Sequence, residues 1–210
     1  MLGPFQLGPF WFGSLRRMNT APVTILAALW LAILAATALA AECDPMPDGV
    51  DPDAGYRIGH YSAAVPDCTP GAASTGFSQV KALATSGAAI LLDVTPIDGS
   101  DPDPFDGTWA LPHPHETIAG ATWLPETGRG KPEPWLEKYL RSNLEKLIAD
   151  KPGVPVIVFC RADCWGSWNA AKRLAAWGYD DIRWYPRGID DWRDNALPLE
   201  IADPVPAEVE

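Results

Sequence analysis

The sequence is poor in positive charge. Sixteen Lys and Arg stand against 27 Asp and Glu, a formal net charge of −11 over 210 residues. Residues 1–41 hold two of those arginines and no acid, so the remainder carries 14 basic and 27 acidic groups, a balance of −13. Such a surplus repels phosphate backbones and anionic headgroups, which excludes nucleic acid as a partner and reads as plain solubility. Histidine is scarcer still: His60, His113 and His115 are all there are. His60 stands alone and reads as surface decoration. A metal site would have to draw on Cys160, Cys164 and one of His113 or His115 with no fourth ligand in view, so neither metal nor cofactor is expected. Covalent haem attachment fails as well, because Trp165 follows Cys164 where a histidine is needed. Internal repeats are absent, and only one long apolar run occurs.

That run, residues 23–36, follows Arg16 and Arg17 and precedes Ala38-Leu39-Ala40. A basic start, an apolar middle and a small-x-small end make residues 1–40 a signal peptide cleaved after Ala40, sending the protein to the periplasm with no membrane contact beyond the targeting segment. A retained anchor and a start at Met18 are the alternatives. The arginine pair lacks the hydrophobic context of twin-arginine export, and Glu42 disfavours a lipid anchor on Cys43. In an oxidising compartment cysteines form lasting disulfides. Four cysteines allow three connectivities, and the economical one joins Cys43 to Cys68 and Cys160 to Cys164.

Residues 41–74 are a lead-in rich in Pro, Gly and Asp, in which only 56–61 has the composition to pack on something. Helical spacing begins at Phe77 and runs to Ser86, with Ser74 or Thr75 as cap. A continuous apolar run over 88–94 predicts a buried strand. Residues 98–114 are too rich in Pro, Asp and Gly for regular structure, and long loops of this kind are often functional. A strand is expected over 118–125 after a glycine turn. The longest helix is expected over 133–150, with Trp135, Leu136, Tyr139, Leu140, Leu144, Leu147 and Ile148 on one face. Then come a β-branched strand over 155–159, a loop carrying Cys160 and Cys164, and a helix over 167–177 capped by Ser167 and stopped by Gly178. A strand over 182–185, a helical turn from Gly188 and a Pro- and acid-rich tail over 198–210 complete the chain. Strands alternating with helices predict an α/β domain over 75–197, a parallel sheet covered on both faces, with its ligand site at the C-terminal strand ends.

Four segments in this order carry a resemblance: Leu-Leu-Asp-Val (91–94), Glu-Thr-Ile-Ala-Gly-Ala-Thr-Trp-Leu-Pro (116–125), Val-Ile-Val-Phe-Cys (156–160) and Gly-Tyr-Asp-Asp-Ile-Arg-Trp-Tyr-Pro-Arg-Gly-Ile-Asp-Asp-Trp (178–192). Together they resemble a rhodanese domain over about residues 75–195. The Cys-Trp loop and Ser-Trp-Asn-Ala-Ala-Lys-Arg further resemble an exported subgroup named for a CxxCW motif and associated with pyrroloquinoline-quinone-dependent (PQQ-dependent) alcohol catabolism. Here the stretch is Cys-x-x-x-Cys-Trp. The resemblance implies that Cys160 accepts sulfur from a sulfane donor, holds it as a persulfide and passes it on, with a periplasmic quinone-dependent dehydrogenase system as a further partner.

The residues add their own chemistry. A cysteine between a strand end and a helix N-terminus has amides and a dipole to favour its thiolate, bringing it below the ordinary value of about 8.5. Arg161, Trp165, Gly166 and Ser167 are the candidate substrate-binding residues. The usual closing cation of the loop is missing, with Trp165 near its place; Asp163 opposes Arg161; Gly166 stands where a related phosphatase loop needs arginine; and Thr95 replaces the arginine often found after Asp-Val. Thiosulfate is therefore less welcome than in the family at large. Two thiols four apart can instead cycle between dithiol and disulfide, with Cys160 attacking and Cys164 resolving. Sulfurtransferase and thiol–disulfide oxidoreductase are the implied activities, and a non-catalytic binding module is the second reading. Trp168, Trp177 and Trp192 are expected to pack in the core; for Trp165 packing and ligand stacking stay open.

Overall fold

The computed structural model describes residues 3, 43, 46–97 and 100–208. The signal-peptide features, including Arg16, Arg17, Met18 and the cleavage site at Ala40, lie outside the described residues, as do Glu42 and Asp98.

Five parallel strands form the central sheet in the order β1–β6–β5–β2–β4. They are β1 (Ala73–Ser74), β2 (Ile90–Asp93), β4 (Thr122–Trp123), β5 (Val156–Phe159) and β6 (Ile182–Tyr185). β2 and β5 are buried at every position and, Asp93 at the end of β2 apart, apolar on both faces, so the sequence shows continuous runs rather than alternation. Ile90, Leu92, Val156, Val158 and Trp184 pack towards α2 (Pro134–Asp150) and α3 (Trp165–Ala176). Leu91, Ile157, Phe159 and Tyr185 pack on the other face with α1 (Phe77–Ser86) and α4 (Gly188–Asp194). This is the expected α/β architecture, a parallel sheet between helices. Asp93 lies opposite Phe159, and Phe159 opposite Tyr185, so the three central strands end level on one rim.

Several local expectations need correction. Residues 118–125 are not one strand: β3 (His115–Ile118) ends before Gly120, whose φ of +77° turns the chain so that β4 can join the main sheet. β3 pairs antiparallel with β7 (Leu199–Ala202), so the acid-rich tail contains a strand. Its continuation is tied down too, since the Trp109 indole and the Tyr139 hydroxyl both donate to the carbonyl of Val205. Neither Ser74 nor Thr75 caps α1. The N-cap is Gly76, because the Ser74 hydroxyl donates to the Asp67 carbonyl and that of Thr75 to Gln79. Helix α3 starts at Trp165 with Cys164 at its N-cap, two residues before the expected first turn, and Ser167 lies inside it.

Burial has a measurable consequence at high pH. It pushes the Tyr139 phenol well above its ordinary value of 10.0. The unfolded chain therefore ionises first, and stability is complete below about pH 10 and falls above it. Tyr139→Phe is expected to lessen that fall by up to about 1.4 kcal/mol per pH unit; urea unfolding at successive pH values from neutral to about 11 measures it, and an unchanged slope would show that Tyr139 does not control it.

Candidate functional site

From β2 the chain crosses to β4 on one side of the sheet and returns to β5 on the other. The order therefore reverses between β2 and β5, and a crevice opens beyond their C-terminal ends, where α/β sheets place ligands. Val94 and Pro96 extend from β2 into this crevice; Cys160 to Gly166 extend from β5. Of these, Val94, Pro96, Cys164 and Gly166 line a narrow pocket of about 30 Å³ with Tyr61, Glu126, Gly128 and Arg129. Four of its residues (Tyr61, Pro96, Glu126 and Arg129) also line a wider cleft of about 430 Å³, together with Ile58, Ser62, Lys131 and Arg161. Pocket and cleft adjoin along those four residues.

Cys160 and Cys164 are joined by a disulfide across the loop, and Cys43 is joined to Cys68. Both loop sulfurs belong to buried residues, Cys160 at 0% and Cys164 at 2% exposure. They differ in outlook. Cys164 lines the pocket, whereas Cys160 does not. The Sγ of Cys160 lies 3.5 Å from the carbonyl oxygen of Arg161 and 3.7 Å from that of Cys164.

The loop is not the open amide cradle that its position suggested. The Ala162 N–H donates to Asp190, and the Trp165 N–H donates to the carbonyl of Tyr61. Gly188, with φ of +50°, brings α4 so close that a Cβ there would sit 1.9 Å from the Cys160 carbonyl oxygen. Ile189 donates its N–H to that same oxygen. Amides expected to favour a thiolate are thus engaged elsewhere.

The lead-in supplies the cover. Ser62 bridges antiparallel to Cys164, and Ala63 N–H donates to the carbonyl of Asp163. The indole of Trp165 donates to Ala64, and that of Trp168 to Cys68. The two rings meet edge to face at 5.2 Å. Trp165 is consequently 2% exposed, so of the two readings left open packing holds: the lead-in, a strap across the loop, takes the face a flat ligand would need. Ser167 is fully buried, accepting from the Trp184 indole at 3.0 Å and donating to the Cys164 carbonyl at 3.2 Å. It holds α3 to β6 rather than meeting substrate. Gly166 does line the pocket, and a Cβ on it would lie 3.5 Å from the Cys164 Sγ. Arg161 is exposed at the cleft mouth with its guanidinium 3.5 Å from the Ser62 hydroxyl. Asp163, the acid expected to oppose it, makes no ion pair with Arg161 among the described residues.

Sequence reasoning missed the opposite wall. Glu126 accepts from the Ile97 N–H at 2.7 Å and from Arg129 at 2.9 Å. Arg129 also reaches Asp101 and Glu133; burial works against its cation, but the carboxylates of Glu126, Glu133 and Asp101 outweigh it and hold the group above its ordinary value. Gly128 lets this wall touch α3, since a Cβ there would lie 2.4 Å from the Gly166 carbonyl oxygen. Asn169 ties three segments together, accepting from Arg57 N–H and donating to the carbonyls of Arg57 and Gly128. Arg173 donates to the carbonyls of Thr127 and Arg129. The only sequence signal for these residues was the Ser-Trp-Asn-Ala-Ala-Lys-Arg stretch.

Asp93, at the end of β2, is fully buried and accepts from the Thr95 N–H, the Thr95 hydroxyl, the Thr117 hydroxyl and His115. Thr95 therefore fixes a buried carboxylate instead of presenting a cation. His115, a conceivable partner of the two thiols, is bound to Asp93 at 2.8 Å and stacked on Trp123. Among the described residues no three His, Cys, Asp or Glu side chains converge as a metal site. No helix among them is long and apolar enough to cross a membrane.

Solved structures with related folds include wild-type EanB, 18% identical with a TM-score of 0.40 over 62% of this chain and 28% of that one. The chain thus spans little more than a quarter of EanB. The polysulfide-sulfur transferase of Wolinella succinogenes is 20% identical with a TM-score of 0.36 over 61% of this chain and 78% of that one. Tum1 of Saccharomyces cerevisiae is 18% identical with a TM-score of 0.38 over 60% and 45%. No curated protein matches the chain. The family model of the rhodanese-like domain matches residues 77–195, more than half of the sequence and every element from α1 to α4, and by that match the chain belongs to the rhodanese-like family.

Proposed function

We propose that this is an exported rhodanese-like protein in which Cys160 and Cys164 carry sulfur-transfer and thiol-redox chemistry in support of PQQ-dependent alcohol catabolism. The observation that carries the reading is the position of the pair: two bonded sulfurs at the crevice between β2 and β5, beside a cleft. In the reduced protein the Cys160 thiolate attacks the sulfane sulfur of a donor, which leaves as its own anion, and Cys160 holds a persulfide. The Cys164 thiolate then attacks the inner sulfur of that persulfide. Hydrosulfide leaves and the disulfide closes. External thiol reopens it, so one cycle joins the sulfurtransferase and the dithiol chemistry. The link to a quinone-dependent dehydrogenase system rests on the Cys-Trp loop resemblance alone.

Mass spectrometry of reduced protein treated with thiosulfate or a polysulfide tests the chemistry. The expected result is a 32 Da adduct on Cys164→Ser, where the persulfide cannot be resolved, and one equivalent of sulfide released by the unsubstituted chain. Cys160→Ser is expected to abolish both. A second reading is supported by the burial of both sulfurs: a static disulfide in a binding module. A pair that resists millimolar thiol in the folded protein, with no adduct from any donor, would put that reading first.

A further inference from the structure

We infer that the disulfide is opened from the Cys164 side by an anionic thiol, with Arg161 and Lys131 selecting for its charge. The inference rests on the thiol-redox reading above and adds a direction and a substrate class to it. Thiol–disulfide exchange is an in-line displacement, so the attacking sulfur must approach from beyond one sulfur, opposite the other. Of the two cysteines, Cys164 lines the pocket and Cys160 does not, its Sγ lying against the carbonyl oxygens of Arg161 and Cys164. A nucleophile that enters through the cleft therefore meets Cys164 first. Gly166 keeps that approach open at the floor of the pocket.

The step is R–S⁻ plus the Cys160–Cys164 disulfide giving R–S–S–Cys164 and the Cys160 thiolate. The new S–S bond takes the electron pair of the incoming thiolate, the old one gives its pair to Cys160, and Cys160 then takes a proton from solvent. As a thiol it can donate to the carbonyl oxygens of Arg161 and Cys164 beside it.

The charge of the cleft sets the substrate class. Within the cleft lining Arg129 is offset by Glu126, and its other two partners, Glu133 and Asp101, are not among the lining residues. Arg161 and Lys131, exposed on the same cleft, make no ion pair among the described residues. In a chain of net charge −11 these two cations line the cleft that adjoins the pocket holding Cys164. Exposed charges act on approach more than on packing, and salt screens them.

The test uses the full oxidised chain and three small thiols: 2-mercaptoethanesulfonate, 2-mercaptoethanol and cysteamine, each rate divided by its rate with a neutral small disulfide. After acid quenching and alkylation, trypsin separates the two cysteines by cutting at Arg161, so mass spectrometry reads which one carries the thiol. We expect the added thiol on Cys164 and the alkyl group on Cys160. The anionic thiol is expected to exceed cysteamine about tenfold at low salt, and Arg161→Gln with Lys131→Gln to bring the ratio near one. The thiol on Cys160, or a ratio near one in the unsubstituted protein, overturns the inference while leaving the thiol-redox reading intact. A disulfide that no thiol opens defeats both.

Discussion

Trp184→Ala is expected to lower the free energy of unfolding by about 3–5 kcal/mol, read from urea denaturation of the oxidised protein. Trp184 is fully buried in the middle of β6, packed in the cluster that holds β5, α3 and the Cys160 loop. Removing the ring leaves a cavity that the neighbours cannot close, since the flanking backbones are fixed by parallel pairing to β5 and β1. It also removes the indole N–H that Ser167 accepts. Ser167→Ala alone breaks the same bond without making a large cavity and should cost about 1 kcal/mol. The double variant then separates the hydrogen bond from the packing: the two losses should fall short of additive by about that amount. A loss below about 1.5 kcal/mol for Trp184→Ala would mean that the site collapses freely around the missing ring.

Asp93→Ala should cost about 3–5 kcal/mol as well, for a different reason. The carboxylate is fully buried and four donors converge on it. Alanine leaves all four without an acceptor, and a buried unsatisfied donor costs about 1–3 kcal/mol. Partial relaxation keeps the total below the simple sum. Asp93→Asn retains the shape but points an amide N–H₂ at groups that themselves donate, so it should cost about half as much. Equal losses for the two variants would show that charge and not acceptor count is what the pocket needs. Because Asp93 ends β2 directly before Val94 and Pro96, Asp93→Ala should also speed opening of the Cys160–Cys164 disulfide, through loosening of the crevice wall.

The parts of this fold that could be read in advance are those where one physical signal dominates. The apolar runs at β2, β5 and β6 and the periodic faces of α1 and α2 are governed by burial, and burial shows in residue type. Short elements were harder. The end of β3 and all of β4 fall within the stretch read as one strand, and the turn at Gly120 is what sends them to different sheets. β7 exists because β3 offers it an edge, a fact that Leu199 and Ile201 cannot announce alone. At the site, strand position marked out Cys160 and Cys164. The direction in which each sulfur faces follows from the lead-in, α4 and the wall at 126–130, all brought from elsewhere in the chain. Ser167 was misread as a cap because a cap accepts from an N–H two or three residues on, whereas this hydroxyl donates back to the Cys164 carbonyl and accepts from Trp184, 17 residues away.

The strap over the cysteine loop has a kinetic side. Its fastenings join residues about a hundred positions apart: Arg57 to Asn169, Ala64 to Trp165, and Cys68 to Trp168. Contacts of such separation form late, because the intervening loop must be closed before they give anything back. The strap is therefore expected to dock after β5, α3 and β6 have made its landing surface, and the cover over the Cys160–Cys164 loop arrives with that step.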